Sequence, residues 1–349
     1  MRRYGTHTRR LANEAGMLTP QDENVVLVTG ATGFLGHNLC PYLIERGYRL
    51  RALVRPTSDR AFLESLGVEL AWGDVQDPYA MAEAVSGCWA VIHAAGKFRF
   101  WGEREEFIAI NVEGTRNVLE AARKEGVERF VHISTVAVVG RPPEGTVITE
   151  ETPCDPQDAY QESKLEAERL VLACHCQHTL PAIVLRPGAY YGPWGRYGFN
   201  RLFFEDPLKG LPIQIHRGRH IIFPAYVKDV ARAAELALTR GRLGQIYNIC
   251  GLCLTHREVS ETVNRVLGRH IRWINAPGWG MVALARSWTW LSRFIRREPY
   301  YPIGLYPYVF YDWRVSIEKA RRELGFEPTP FEEGVQATLE WYQREGILS

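Results

Sequence analysis

Val25, Val26, Leu27 and Val28 run directly into Thr29-Gly30-Ala31-Thr32-Gly33-Phe34-Leu35-Gly36, and the residues beyond repeat with helical period. A strand that passes into a helix across glycines gathers backbone amides at the positive end of the helix dipole, where a pyrophosphate is well held. The turn also restricts the fold, because an unbroken apolar strand is buried on both faces and needs helices above and below it. The spacing is G-x-x-G-x-x-G, which departs from the G-x-G-x-x-G dinucleotide fingerprint, and such a pattern also serves as a plain tight turn. The strand before it and the helix after it favour a dinucleotide cofactor.

Strand and helix patterns alternate from there. Strands are predicted at 25–28, 49–54, 68–72, 89–93, 130–134 and 182–186, and helices at 33–45, 61–66, 79–85, 107–125 and 160–175. After Gly188 the pattern loosens through a stretch rich in Pro, Gly and Tyr (187–225). Helices return at 228–239, 256–267, 317–324 and 332–345, with short strands at 245–249 and 270–274. The expected fold class is α/β, a Rossmann-type doubly wound parallel sheet with a smaller C-terminal lobe. The expected layout is a flexible tail over 1–24 and a dinucleotide-binding core over 25–187. A mainly substrate-binding region follows over 188–349, with segments around 226–250 returning to the core.

A net charge of +2 gives no electrostatic case for nucleic acid. Arg2, Arg3, Arg9 and Arg10 precede any apolar run, which suits a tail better than a secretory signal, with an organelle presequence as the lesser alternative. A cytoplasmic protein with reduced thiols is expected, since the seven cysteines are an odd number. Cys174-His175-Cys176 with His178, and Cys250 with Cys253, invite a metal, but neither set has a second half at zinc spacing, so free thiols and no metal are expected. The Trp-rich segment 273–295 is interrupted by Arg286 and Arg293 and reads as amphipathic. A helix packed over a pocket is preferred there to contact with a membrane surface.

Tyr160 and Lys164 stand four apart on a predicted helix and so share a face. An ammonium beside a phenol favours the ionised phenol, which can then exchange protons near neutral pH. At the end of the second strand the chain reads Arg55-Pro56-Thr57-Ser58, with no carboxylate before Asp59. An NAD site would place an acid there for the ribose 2′-hydroxyl, whereas Arg55 suits a 2′-phosphate. NADP is therefore the preferred cofactor, with NAD as the alternative and a solvated surface arginine as the plain reading of Arg55.

Six motifs then fall in one order. They are the glycine turn at 29–36, Gly73-Asp74-Val75, His93-Ala94-Ala95-Gly96, Asn111-Val112-Glu113-Gly114-Thr115, Tyr160-x-x-x-Lys164 and Arg186-Pro187-Gly188. Over roughly residues 25–345 the chain resembles the extended short-chain dehydrogenase/reductases, the NAD-dependent epimerase/dehydratase family, and most of all its 3β-hydroxysteroid dehydrogenase and dihydroflavonol reductase branch.

The resemblance implies a cofactor held by Gly30, Thr32, Gly33, Phe34, Leu35 and Gly36. It implies that Asp74 and Val75 flank the adenine, that Ala94, Ala95 and Gly96 line the diphosphate and ribose, and that Pro187 and Gly188 support the nicotinamide. Tyr160 would transfer a proton. Lys164 would lower its pKa and bind the nicotinamide ribose, and Thr135, with Ser134 as the alternative, would orient the substrate oxygen. Asn111 would kink its helix and hold a water leading to Lys164, or else serve as a capping or buried structural amide. A homodimer docked through helices 107–125 and 160–175 is expected on the same ground.

The substrate is the least legible part. Lys97, Phe98, Phe100 and Trp101 follow the fourth strand, Tyr190, Tyr191, Trp194 and Tyr197 the sixth, and Trp279, Trp288 and Trp290 come late. These aromatics suggest a small-molecule, hydrophobic, steroid-like or flavonoid-like alcohol or ketone, or else a core for the second lobe. Arg196, Arg201, Arg217 and Arg219 keep open a nucleotide-sugar epimerase or dehydratase with bound NAD. A non-catalytic cofactor-sensing protein is the third alternative, opposed by the presence of Thr135, Tyr160 and Lys164 together.

Overall fold

The strands Val25–Thr29 (β1), Arg49–Val54 (β2), Glu69–Trp72 (β3), Ala90–His93 (β4), Arg129–Ile133 (β5), Ala182–Pro187 (β6) and Ile246–Ile249 (β7) form one sheet. Its spatial order is β7-β6-β5-β4-β1-β2-β3, and every neighbouring pair is parallel. The structure, a computed structural model, describes residues 24–142, 144–178 and 180–348; the expected tail, Asn24 excepted, falls outside the described residues.

All five residues of β1 are buried, as its apolar run requires. Val26 and Val28 face one core layer, packed with Gly36–Glu45 (α1) and Val227–Arg240 (α6). Val25 and Leu27 face the other, with Pro78–Val85 (α3), Gly114–Glu125 (α4) and Ala159–His178 (α5). The short helix Ala61–Ser65 (α2) follows β2. Strand order reverses between β1 and β4, so a crevice opens beyond their carboxyl ends, the place where open parallel sheets bind ligands.

Three boundaries differ from expectation for visible reasons. The first helix starts at Gly36, not Gly33, because Gly33 N–H closes a turn onto the Gly30 carbonyl at 3.0 Å. The predicted helix 107–125 begins with a turn at Arg104–Phe107 and widens into a π segment over Ile108–Glu113 before α4. π segments of this kind reorient a side chain within a helix, and here Asn111 is the buried polar residue. The strand expected at 270–274 is instead Ile274–Ala276, paired with Ile213–Ile215. Gly268 ends His256–Leu267 (α7) in the left-handed conformation, and Asn264 donates to the Ile271 carbonyl at 3.1 Å, which holds the preceding residues against the helix end.

Beyond β6 a third apolar cluster gathers Tyr191, Phe204, Phe223, Trp313 and Tyr342. Helix α7 and Phe331–Arg344 (α10) pack into it, while Gly278–Ile295 (α8) follows α7 in the chain and Glu318–Leu324 (α9) returns to the first core layer beside α6 and β7. Among the described residues no helix is long and apolar enough to cross a membrane, and no group of three or more His, Cys, Asp or Glu is placed to hold a metal. The side chain of His178 lies outside the described residues. All seven cysteines are unpaired.

Candidate functional site

The crevice between β1 and β4 opens into a cleft of about 920 Å³, near the upper end of the roughly 300–1,000 Å³ typical of small-molecule and cofactor sites. Its floor is the glycine turn. Gly30 has φ +73°, and a Cβ there would lie 2.7 Å from the Ala95 nitrogen, so only glycine lets the β1 turn meet the loop after β4. Thr32, Gly33, Phe34 and Leu35 face the cleft with Gly30. Gly36 does not: a Cβ there would lie 2.1 Å from the Ala31 carbonyl oxygen, so its task is to bring α1 tight against the turn.

A buried chain of side chains fixes the two strand ends. The Thr115 hydroxyl donates to the Asn111 carbonyl at 2.6 Å, so it must accept from His93 Nε2–H at 2.9 Å. His93 Nδ1 then accepts from the Thr29 hydroxyl at 2.7 Å, whose oxygen accepts the Ala95 amide at 3.1 Å. Burial lowers the His93 pKa to about 3, so the ring stays neutral and this one tautomer satisfies every partner. Ala94, Ala95 and Gly96 therefore present small surfaces to the cleft from a braced loop.

At one end of the cleft stand Arg55, Ser58, Asp74 and Val75. The Arg55 guanidinium is mostly exposed and lies 3.9 Å from the Asp74 carboxylate. Asp74 also accepts from the Gln76 amide at 3.0 Å. A loosely held, solvent-facing arginine at the tip of β2 remains free to meet an added anion.

At the other end the sheet brings together Thr135, just beyond β5, with Tyr160 and Lys164 from the first turns of α5. The helix starts where it does because Asp158 accepts the Gln161 amide at 2.8 Å, a cap legible as an acid followed three residues later by glutamine. The Thr135 hydroxyl accepts the Ala137 amide at 3.2 Å and stands close enough to the Tyr160 phenol to lower its pKa. Ser134, by contrast, donates to Glu168 at 2.8 Å, and Glu168 is held by the buried Arg186 at 2.9 Å. Its hydroxyl is committed to that buried pair.

The electrostatics depart from the sequence expectation. Burial pushes the Tyr160 phenol above its ordinary range, and only the Thr135 hydrogen bond pulls it back. Lys164 is not among the groups that move it. The Lys164 ammonium donates to the Ile133 carbonyl at 2.6 Å, and burial brings its own pKa down to about 8 against a smaller opposing pull from Glu168. A shared helix face thus leaves the ammonium bound to the sheet instead of to the phenol.

Asn111 acts as a clamp in this geometry. Its Oδ1 accepts the Lys97 amide at 2.7 Å, while its Nδ2 donates to the Lys97 carbonyl at 3.1 Å and to the Ser163 hydroxyl at 2.8 Å. The loop after β4 is so tied to α5, one residue from Lys164. Pro187 and Gly188 close this end, with Gly188 packed so tightly on the Phe223 carbonyl that a Cβ would come within 2.2 Å.

Of the aromatics singled out in the sequence, Phe98, Phe100, Tyr190, Trp194 and Tyr197 line the cleft with Lys97. The Phe98 ring centre is 4.8 Å from that of Tyr160, and Phe100 stacks on Tyr197 at 5.3 Å. Tyr191 belongs to the second lobe's core, and Trp279 and Trp290 are exposed on α8. Tyr308, Phe199 and Phe223 join the wall without having been marked in the sequence. Gln161, three residues from Lys164, donates to the Tyr308 hydroxyl at 3.1 Å. The diphosphate clamp suggested by arginines is not assembled. Arg196 reaches the cleft but pairs with Glu205 at 2.6 Å, and Arg201, Arg217 and Arg219 stand outside its wall.

The model of the NAD dependent epimerase/dehydratase family matches residues 26–250. Sterol demethylase protein B of Methylococcus capsulatus is 30% identical over 334 residues, which span 92% of this chain and 99% of that protein. A 3-beta-hydroxysteroid dehydrogenase of Mycolicibacterium neoaurum is 30% identical over 320 residues, 87% of each. The crystal structure of the Thermus thermophilus UDP-glucose 4-epimerase in complex with NAD superposes with a TM-score of 0.73 at 28% identity, covering 91% of this chain and 99% of that one. With the glycine turn, the seven-stranded parallel sheet and the Tyr-x-x-x-Lys helix in one arrangement, the chain belongs to the NAD-dependent epimerase/dehydratase family of extended short-chain dehydrogenase/reductases.

Proposed function

We propose that this protein is an NADP-preferring oxidoreductase that interconverts a ketone and a secondary alcohol on a hydrophobic, steroid-like or similar substrate. The observation that carries the reading is the placement of Thr135 and of Tyr160, which packs against Phe98, at the aromatic end of a cleft floored by the glycine turn. A dinucleotide lying along that cleft would be held by Gly30, Thr32, Gly33, Phe34 and Leu35 at the diphosphate and by Ala94, Ala95 and Gly96 beside it. Asp74 and Val75 would flank the adenine, Arg55 would meet a 2′-phosphate, and Pro187 and Gly188 would support the nicotinamide. The bound nicotinamide supplies the hydride at its C4 position.

The chain's own residues handle the proton. Burial keeps the Tyr160 phenol protonated at neutral pH, which suits it to donate to a carbonyl oxygen as that oxygen gains negative charge. Thr135 holds the same oxygen in line. Lys164, whose pKa burial brings down to about 8, follows as the group that would restore the tyrosine proton. Held protonated, the phenol serves reduction, and the same oxygen takes the proton back in the reverse oxidation.

Relatives named for a sterol and a hydroxysteroid support the lipophilic substrate, as do the aromatic walls. The likeness to an epimerase supports the second reading, a nucleotide-sugar epimerase or dehydratase. A screen of steroid, flavanonol and simple ketones with NADPH separates them, because reduction consumes nicotinamide absorbance whereas epimerisation of a sugar nucleotide leaves it unchanged. Tyr160→Phe should lower the reduction rate by about 10²–10⁴. Full activity in that variant would remove Tyr160 as proton donor, and tight cofactor binding without turnover on any substrate would favour the sensor.

A further inference from the structure

Helix α8 has two faces of opposite use. Gly278, Ala285 and Ser292 are buried, and with Met281, Val282 and Thr289 they mark one stripe at helical period. Met281, Val282 and Ala285 roof an apolar pocket of about 100 Å³. That pocket shares Leu202, Phe203, His256, Leu305 and Val309 with the wall of the large cleft, so the two spaces adjoin.

The outer face is apolar and open. Trp279 is 80% exposed, Phe294 68%, Trp290 62% and Ile295 58%, with Leu291 and Leu284 beside them. An uncovered patch of large side chains on one helix marks a binding surface, not an ordinary solvated one. Its charge says what it meets. Between Glu261 and Glu298 the chain carries seven arginines and no aspartate or glutamate. Arg269, Arg272, Arg286, Arg296 and Arg297 are exposed, and among the described residues none of the five forms an ion pair. Self-association through this face would bring the same cations together across a two-fold axis. An anionic bilayer matches both features, taking the tryptophans and phenylalanine at the acyl boundary and the arginines at the headgroups.

We propose that α8 seats this protein on the surface of an anionic lipid membrane, with the pocket beneath it receiving the apolar part of a membrane-dissolved substrate on its way to Tyr160. The docking stands on the helix and the arginines on and beside it in the chain; the substrate passage rests on the oxidoreductase reading above. The sequence alternatives of a pocket cover and a membrane contact are then the two sides of one helix.

The test is flotation of the full-length protein with vesicles of phosphatidylcholine alone or mixed with phosphatidylglycerol. Binding is expected to the mixed vesicles, to weaken as salt rises, and to fall about tenfold in Trp290→Ser/Phe294→Ser and about fivefold in Arg286→Ser. Reduction of a small water-soluble ketone should be unchanged in both variants. Absence of binding to mixed vesicles, equal binding by the variants, or conversion of a dimer to a monomer by Trp290→Ser/Phe294→Ser in size-exclusion chromatography would overturn the proposal. The last result would assign the face to a second copy of the chain. Since flotation requires no turnover, an inactive enzyme that still floats would refute the oxidoreductase reading and leave the docking intact.

Discussion

Lys164→Met should make the folded protein more stable while disabling it. The amine is buried, and its pKa is brought from 10.5 to about 8, which corresponds to roughly 3 kcal/mol against holding the ammonium in this site at neutral pH. Methionine fills a similar volume without charge. The change leaves the Ile133 carbonyl without its 2.6 Å donor, a loss of about 1–2 kcal/mol. The net expectation is a gain of about 1–2 kcal/mol at pH 7, or about 1–3 °C in Tm for a chain of this size. The pH dependence carries the sharper test. Below pH 8 lysine is protonated in both folded and unfolded chains and the penalty is full. Between about 8 and 10.5 the unfolded chain binds more protons, so the wild type gains stability as pH rises and the advantage of the variant shrinks. Thermal melts of both proteins without cofactor at pH 7 and pH 10 measure that difference, and other titrating groups cancel in it. A variant that melts below the wild type at pH 7, or whose advantage is flat with pH, would refute the idea that burial sets the Lys164 pKa.

The other expectations concern single contacts. Arg55→Ala should reduce the preference for NADP over NAD about tenfold or more through KM for the cofactor, with kcat little changed, because only a charge-assisted contact to the 2′-phosphate is removed; an unchanged ratio of kcat/KM values would return Arg55 to the solvent. Thr135→Ala should cost about 10²-fold in kcat with little effect on Tm, whereas Ser134→Ala should lower Tm by loosening the Glu168–Arg186 pair and spare the chemistry, and the reverse pattern would exchange their roles. Gly30→Ala forces a Cβ to within 2.7 Å of the Ala95 nitrogen at a positive φ, so loss of cofactor binding by fluorescence titration and a lowered Tm are expected together.

The parts of this molecule that could be read from sequence are those set by local chemistry. The strand-glycine turn predicted the β1 to α1 junction and the parallel sheet, since an apolar run buried on both faces leaves few other architectures. Beyond β6 the strand expected at 245–249 is found as β7, but the pattern breaks around Pro, Gly and Tyr hid the shorter strands, because two- and three-residue pairings such as Ile213–Ile215 with Ile274–Ala276 join segments some sixty residues apart. Trp101 and Tyr191 looked like cleft residues beside Phe98 and Tyr190, and nothing local distinguishes them. Tyr308 is the converse, a wall residue brought in by a hydrogen bond with Gln161 across 147 positions of chain.

The Tyr160–Lys164 pair shows where spacing stops being informative. A separation of four fixes the face of the helix, and the two side chains do share it. It does not fix the third partner, and the energy here depends on that partner. The Ile133 carbonyl at the end of β5 competes for the ammonium, and a buried charge goes to the nearest strong acceptor before it acts on a phenol one helical turn away. The tyrosine's proton affinity is then governed by burial and by Thr135. A lone helix carrying Tyr-x-x-x-Lys would hold a more acidic phenol than this one. Docked against β5, the same residues hold a phenol that stays protonated at neutral pH, so sheet position, which the sequence encodes only through long-range packing, decides the protonation state of the tyrosine.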